Sequence, residues 1–333
     1  MAIADLNRRR LGLLSGAALI GSAVARPALA AAAAPEPPVT TPPPTSTSEA
    51  IASQTDAADR LTVKVRVNGQ GPFPFVVDTG AERSTLASDL AAMLMLPPGS
   101  PIIVHGVAGA LTAPSALVGE LAVGARRLRE VELPLLQRND IGAAGVLGID
   151  ILQGQRVELD FLHRELRVQA SAPERARGDE IVVSARNRYG QLILVDSVFQ
   201  REPIVVVVDT GAQHSIGNNA LRRLVRADRT DQGGTNAAQI FSVTGQTAIG
   251  EWALINNVQV GGFGINNLPV VFSELHSFDR WKLTGQPALL LGMDVLRQFD
   301  RVDIDFARRE VRFRGSTGAN DQRYAARPGG RLA

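Results

Sequence analysis

The feature that most constrains the fold is a nine-residue stretch that occurs twice, at residues 75–83 and 206–214. In each copy an apolar run leads into Asp-Thr-Gly-Ala, which places carboxylates at Asp78 and Asp209. A short apolar run bounded by turn residues is typical of a buried strand, and Thr-Gly directly after it indicates a sharp turn. Each copy therefore predicts a strand that delivers a carboxylate to the point where the chain leaves the core.

A second pair of matching segments follows in the same order. Residues 146–152 read Val-Leu-Gly-Ile-Asp-Ile-Leu, and residues 290–296 read Leu-Leu-Gly-Met-Asp-Val-Leu. Each segment precedes a similar predicted strand, at 156–161 and 301–306. Because shared landmarks in a preserved order indicate a repeated structural unit, we interpret the chain as an internal duplication.

The N-terminal region predicts export. Residues 1–30 combine Arg8-Arg9-Arg10, an apolar run too short to span a bilayer and an Ala-Leu-Ala cleavage site, a pattern that resembles a twin-arginine signal. An ordinary secretory signal and an uncleaved membrane anchor are the alternatives. Residues 31–58 are rich in Ala, Pro, Thr and Ser, which predicts a disordered tether. An inhibitory pro-segment is the alternative there.

Shifts in composition also divide the rest of the chain, residues 59–333, into segments. We expect an N-terminal lobe at 59–170, a polar connector at 171–190 with a short strand at 181–183, a C-terminal lobe at 191–315 and a flexible tail at 316–333. Alternating and continuous apolar runs predict an all-β fold for both lobes. We expect short helices at 84–95 and from residue 151, and one strand at 252–260.

Composition and charge exclude several classes of site. A net charge of +2 and an aromatic content of 5% give no nucleic-acid footprint. The absence of cysteine removes disulfides and thiolate sites, and the four histidines show no ligand spacing. We therefore predict no metal, no cofactor and no nucleic-acid partner.

The residues beside the two aspartates have predictable roles. A glycine lets the backbone approach a carboxylate, a threonine can hydrogen-bond across an interface, and an alanine withholds the hydroxyl that would lower a carboxyl pKa. The predicted supporting residues are Thr79, Gly80, Ala81, Thr210, Gly211 and Ala212.

Two glycine-containing hairpins, at 102–111 and 240–246, stand at matching places in the two copies. Their apolar and glycine residues could cover an extended ligand. The predicted ligand-contacting residues are Val104, Gly106, Val107, Gly109, Ile240, Phe241, Val243 and Gly245, together with Glu82 and Gln213 beside the motif.

Taken together, the two Asp-Thr-Gly-Ala motifs and the two Leu-Gly-x-Asp segments resemble retropepsin-type aspartic proteases, with both halves fused in one chain. The resemblance covers roughly residues 60–314. It implies a two-lobed acid-protease fold, each lobe a small closed β-barrel-like unit with a flap hairpin and a short helix. In such proteases two carboxylates share one proton and activate a water.

The resemblance also implies a substrate and a location. Flaps close over an extended peptide, so the expected partner is a protein or peptide substrate. An exported, fused form is similar to bacterial periplasmic, PerP-like aspartyl proteases, which implies a monomeric endopeptidase acting on periplasmic parts of membrane proteins. Because the motifs carry Ala81 and Ala212, we expect activity at mildly acidic to near-neutral pH.

The chain departs from the retroviral pattern at one ion pair. Retroviral members carry an arginine after the glycine of the second motif, where this chain has Ile149 and Met293. The partner positions hold Glu82 and Gln213, so we expect that pair to be absent and the two sides of the cleft to differ.

Other interpretations stay open from sequence alone. A catalytically silent peptide-binding module of the same fold is the main alternative, and a glycosidase would need carboxylates about 5–9 Å apart. We interpret Asp150 and Asp294 as helix N-caps. His105 is interpreted as a solvated loop residue, and Trp281 as packing within an inserted loop at 274–287.

Overall fold

The computed structural model describes residues 50–51, 62–124, 126–176, 180–188, 191–194, 196–227 and 237–315. The predicted signal at 1–30, nearly all of the predicted tether and the predicted tail at 316–333 lie outside the described residues. Within the described part of the chain, no helix is long and apolar enough to cross a membrane. Below, the first half denotes residues 62–170 and the second half residues 191–315.

Strands dominate these residues. In chain order the strands are β1 (Ala50–Ile51), β2 (Thr62–Val67), β3 (Gln70–Val77), β4 (Thr85–Ala87), β5 (Ile102–Gly106), β6 (Gly109–Ala113), β7 (Ser115–Val123), β8 (Arg126–Leu136), β9 (Gly145–Leu147), β10 (Gln155–Asp160), β11 (Glu165–Ala170), β12 (Glu180–Arg188), β13 (Gln191–Leu194), β14 (Ser197–Phe199), β15 (Glu202–Pro203), β16 (Val205–Val208), β17 (Ser215–Gly217), β18 (Ala237–Phe241), β19 (Thr247–Ile255), β20 (Val258–Val260), β21 (Phe263–Ile265), β22 (Leu268–Phe272), β23 (Ala288–Leu291), β24 (Arg301–Asp305) and β25 (Glu310–Arg314). The helices are α1 (Ser88–Met93), α2 (Arg138–Ile141), α3 (Ile149–Leu152), α4 (Asn219–Ala227), α5 (His276–Arg280) and α6 (Met293–Leu296).

Six strands of the first half close into a barrel in the order β2-β3-β9-β4-β8-β7. Strand β2 alternates between buried and exposed residues, as its sequence predicts. Asn68 and Gly69 join it to β3 with φ of 50° and 76°. Positive φ at both central residues is typical of the tight turn that Asn-Gly favours. The hairpin β5–β6 forms a separate two-stranded sheet.

The second half repeats this strand order without closing in the same way. Its strands β13, β16–β19, β22 and β23 belong to a 13-stranded sheet, whereas β14, β15, β20 and β21 form a four-stranded sheet. Closure was expected of both halves, but among the described residues only the first half forms a closed barrel. In the first half, β2 is continuous and pairs with both β3 and β7. Its counterpart is divided into β13, which pairs with β16, and β14, which pairs with β20.

Strands from both halves lie side by side in one part of the 13-stranded sheet. The order β12-β25-β24-β10-β11 places β10 of the first half beside β24 of the second, with Val157 opposite Ile304. The connector was expected to hold only a short strand at 181–183, but β12 extends over nine residues because it pairs with both β25 and β13. The main apolar core includes buried residues of both halves.

Two further boundaries differ from the sequence-based expectation. The segment predicted as a helix from residue 84 first forms β4, because Leu86 pairs with Leu135 and is fully buried. Helix α1 begins only at Ser88. The predicted strand at 252–260 is two strands, since Asn257 turns the chain with a φ of 60°.

Candidate active site

Two equivalent strand ends deliver the predicted aspartates. Strands β3 and β16 each run parallel to a neighbour, β9 and β23 respectively. The backbone N–H of Asp78 donates to the Leu147 carbonyl at 3.0 Å, and that of Asp209 donates to the Leu291 carbonyl at 3.0 Å. Each aspartate therefore continues a parallel pair of strands by one residue and then leaves the sheet.

Each carboxylate is held by the backbone of its own turn. Two N–H groups, from the residues two and three positions later, donate to one carboxylate oxygen in each turn. The bonds are Gly80 N and Ala81 N to Asp78 Oδ1 at 2.8 and 3.0 Å, and Gly211 N and Ala212 N to Asp209 Oδ1 at 2.9 and 3.2 Å. This arrangement fixes the side chains and leaves each Oδ2 outside the turn's own hydrogen bonds.

The two turns face each other. A β-carbon added at Gly80 would lie 2.7 Å from Asp209 Oδ2, closer than real β-carbon contacts allow. A β-carbon added at Gly211 would likewise lie 2.4 Å from the carboxyl carbon of Asp78. The structure thus brings Asp78 and Asp209 together, each carboxyl group against the glycine of the opposite turn.

A reciprocal set of hydrogen bonds braces the turns from below. Thr79 Oγ1 donates to the Val208 carbonyl and Thr210 Oγ1 to the Val77 carbonyl, each at 2.8 Å. Each threonine hydroxyl also accepts the other threonine's backbone N–H at 3.1 Å. Both side chains are buried, so the four bonds lock the relative position of the turns without contacting the cleft.

The electrostatics of the pair are asymmetric. Asp209 is only 3% exposed, whereas Asp78 is partly exposed. Burial, followed by repulsion from Asp78, raises the pKa of Asp209 to about 8, although the turn N–H groups oppose the shift. Two carboxyl groups in contact cannot both ionise readily, so the pair carries one proton at neutral pH.

A second layer of hydrogen bonds holds each turn from outside. Ser84 Oγ donates to Asp150 Oδ1 at 2.6 Å, and Ser215 Oγ donates to Asp294 Oδ1 at 2.8 Å. The prediction that Asp150 and Asp294 are N-caps is wrong. The caps of α3 and α6 are Gly148 and Gly292, and neither makes a side-chain cap bond. The two carboxylates instead accept from the serine that directly follows each nine-residue stretch.

A pocket lies above the pair. It is lined by Asp78, Gly80, Ala81, His105, Gly106, Val107, Asp209, Gly211, Ala212, Gln213, His214, Ile216, Ile240, Phe241, Val243, Ser277 and Trp281. Most of the predicted ligand-contacting residues are therefore brought to one cavity. The sequence prediction missed Ile216 and Ser277, and it assigned Trp281 to packing alone.

The hairpin β5–β6 and the loop between β18 and β19 meet above this pocket. Gln246 Nε2 donates to the Ala110 carbonyl at 3.1 Å. Val104 is 6% exposed and packs in the main apolar core, so the structure does not bring it to the pocket. Gly109 and Gly245 are hairpin residues outside the pocket lining, and Gly245 has a φ of +76°.

Two contacts near the pocket were not predicted. His105 is partly buried and its Nδ1 lies 3.0 Å from His276 Nε2, so it is not a solvated loop residue. Glu82 forms an ion pair with Arg280 at 3.0 Å. Ile149 and Met293 carry no charge, and Glu82 pairs instead with a residue of α5 in the other half. No local sequence signal indicates either contact, since both partners lie in the inserted loop.

Models of known protein families match both halves of the chain. A family model for aspartyl proteases matches residues 63–151, and a model for the aspartyl proteases of gag polyproteins matches residues 195–298. The chain is a member of the retropepsin-like aspartic proteases. Each match covers one of the two halves and includes its Asp-Thr-Gly turn, so this protease carries two protease domains in a two-lobed fold. No curated protein matches it in sequence.

Proposed function

We propose that the protease is an exported, monomeric endopeptidase that hydrolyses an extended protein segment through a water activated by Asp78 and Asp209. The observation that carries this proposal is that Asp78 and Asp209 line one pocket, each carboxyl group against the glycine of the opposite turn. Membership of the aspartic proteases supports peptide-bond hydrolysis in general.

The roles of the two acids follow from their surroundings. Asp209 is the more buried and has the raised pKa, so it holds the shared proton and can polarise the scissile carbonyl. Asp78 is partly exposed towards the pocket and acts as the general base on water. The glycine and alanine N–H groups hold both side chains in place while the proton moves.

The location and the natural substrate are parts of the same proposal. The signal-like residues 1–30 support export to the periplasm, with membrane tethering if that segment is not cleaved. The candidate substrates are extended periplasmic segments of membrane proteins. The hairpin β5–β6 and the β18–β19 loop cover the pocket from above, which supports their role as flaps over such a segment.

Cleavage of an unstructured protein by the full chain tests the proposal. Pepstatin-sensitive hydrolysis at internal bonds is expected from wild type. Asp78→Asn and Asp209→Asn should each reduce the rate by at least about 100-fold, because general acid–base catalysis contributes on that order. Asp196→Asn is the matched control, since Asp196 is exposed and remote from the pocket. Binding without cleavage by wild type would support the silent peptide-binding module instead.

A further inference from the structure

The two sides of the cleft are built from different side chains. Among the residues of the second half, Ile216, Ile240 and Trp281 line the pocket. They are 5%, 4% and 3% exposed, and all three belong to one buried apolar cluster of the second half. The second half therefore contributes a continuous apolar wall to the cleft.

The first half offers no equivalent wall. The motif aligns Ile216 with Thr85, since each stands seven residues after its aspartate. Thr85 does not line the pocket, and its Oγ1 is buried without a hydrogen-bond partner among the described residues. Both tryptophans of the chain, Trp252 and Trp281, belong to the second half. The first half contributes the smaller apolar residues Ala81 and Val107 to the pocket, so the apolar lining of the second half is the larger.

Trp281 is held in a fixed position. Its backbone N–H donates to the Ser277 carbonyl at 3.0 Å, at the end of α5. Phe278 and Leu283, on either side of it in sequence, are fully buried in the same cluster. The ion pair from Arg280 to Glu82 ties this segment to the first half. The backbone hydrogen bond, the buried cluster and the ion pair together hold the segment of Trp281 in place. A side chain held in this way can discriminate between substrate side chains by shape.

We propose that Trp281 is a specificity-determining residue that forms, with Ile216 and Ile240, a single subsite for a large apolar side chain on one side of the scissile bond. This inference rests on the proposed function and deepens it. The wall contacts a bound side chain equally in the ground state and the transition state, so it acts mainly on KM.

Peptide libraries varied at the residues flanking the cut test the subsite. Wild type should prefer Phe or Leu over Ala by about 10-fold or more in kcat/KM at one flanking position and much less at the other. Ile216→Thr, which installs the residue of the first half, and Trp281→Leu should each reduce that preference by about 10-fold at the same position, chiefly through KM. Leu283→Ala is the matched control, because Leu283 shares the cluster but does not line the pocket.

The possible results distinguish a failure of the proposed subsite from a failure of the proposed function. Equal preference at both flanking positions, or unchanged preference in Ile216→Thr and Trp281→Leu, would overturn the subsite while leaving proteolysis intact. Loss of preference in Leu283→Ala to the same degree would also overturn it, since the effect would then follow core stability. Wild type that cleaves no peptide would overturn the proposed function, and the subsite with it.

Discussion

Gly211 stands against the opposing carboxylate: a β-carbon at this residue would lie 2.5 Å from Asp78 Oδ2 and 2.6 Å from Asp78 Oδ1. Gly80 has the same relationship to Asp209. Neither glycine has a positive φ, so backbone conformation does not require them. The motif needs glycine because two carboxyl groups and two turns converge on one small volume.

Gly211→Ala should therefore displace the Asp78 carboxyl group and disrupt proton sharing. We expect a fall in kcat of at least about 100-fold, the size of a general acid–base contribution, with a smaller change in KM. Steady-state kinetics on a cleaved peptide measure it. Gly285→Ala is the control, because a β-carbon there meets nothing within 4 Å. Full activity in Gly211→Ala would contradict the close approach.

The threonine brace predicts a stability effect that is separate from chemistry. Thr210→Val keeps the shape of the side chain but leaves the Val77 carbonyl and the Thr79 N–H without their partner. The unfolding free energy should fall by about 1–3 kcal/mol, the cost of buried unpaired polar groups. Urea denaturation measures it, with Thr284→Val as the exposed control. Thr210→Ser should restore most of the loss.

The raised pKa of Asp209 predicts how stability varies with pH. The folded protein keeps a proton up to about pH 8 that the unfolded chain releases near the ordinary value of 3.8. The stabilising contribution of this proton is complete below that ordinary value and is lost as the pH rises through about 8. Asp209→Asn stays neutral, so its unfolding free energy should decline less over this interval in urea titrations. Identical slopes for variant and wild type would refute the assignment.

The same proton governs the rate. Hydrolysis requires one ionised and one protonated carboxyl group, so kcat/KM should fall as the pH rises through about 8. A pH–rate profile from about pH 3 to 9 measures this alkaline limb. A maximum of kcat/KM below about pH 3 would contradict this prediction, because the pair would then lose its shared proton at a much lower pH than about 8.

His105 provides an electrostatic probe of the contact between the halves. Burial first, then Arg280 and His276, lower its pKa from 6.5, while Glu82 opposes them. A lowered pKa means that this group's stabilising contribution is present above pH 6.5 and is lost as the pH falls below that value. In NMR titrations Arg280→Gln should raise the pKa of His105 and Glu82→Gln should lower it. Arg129→Gln, at an exposed and distant site, should leave the titration unchanged.

The ionic network between the halves predicts a large loss of stability. Asp303 is fully buried and accepts from Arg156 Nη2 at 2.9 Å and from Arg301 Nε at 3.0 Å. Asp303→Ala leaves both cations without that partner, so unfolding should become easier by about 3–5 kcal/mol. Arg129→Gln should change it by less than about 1 kcal/mol, because the Arg129 side chain is 82% exposed and lies 4.0 Å from Glu120. Denaturant midpoints for the two variants should differ accordingly.

Sequence reasoning succeeded where structure follows from a short local pattern. The strands leading to Asp78 and Asp209 and the threonine brace were both indicated within a few residues of the motif. It failed where distant residues decide the outcome. The extension of β12 depends on pairing with β25, and the contact between His105 and His276 joins residues 171 positions apart.

The position of Trp281 shows the same limit at the pocket. An aromatic residue in an insertion predicts packing, and the side chain is indeed buried. Its second role as pocket lining depends on where α5 docks against the β5–β6 hairpin, which hydrophobic periodicity does not encode. Ile216 could have been found, because it lies two residues after the second nine-residue stretch, which carries Asp209.

The pairing of β10 with β24 within one sheet has a consequence for how the chain could be divided. A single nick between β11 and β12 would not release two independent domains, since the pieces would still exchange main-chain hydrogen bonds along that seam. Each fragment would carry half of the reaction centre. The activity of the nicked form would then depend on association of the two fragments. Dilution would therefore lower the activity of the nicked form but not that of the intact chain.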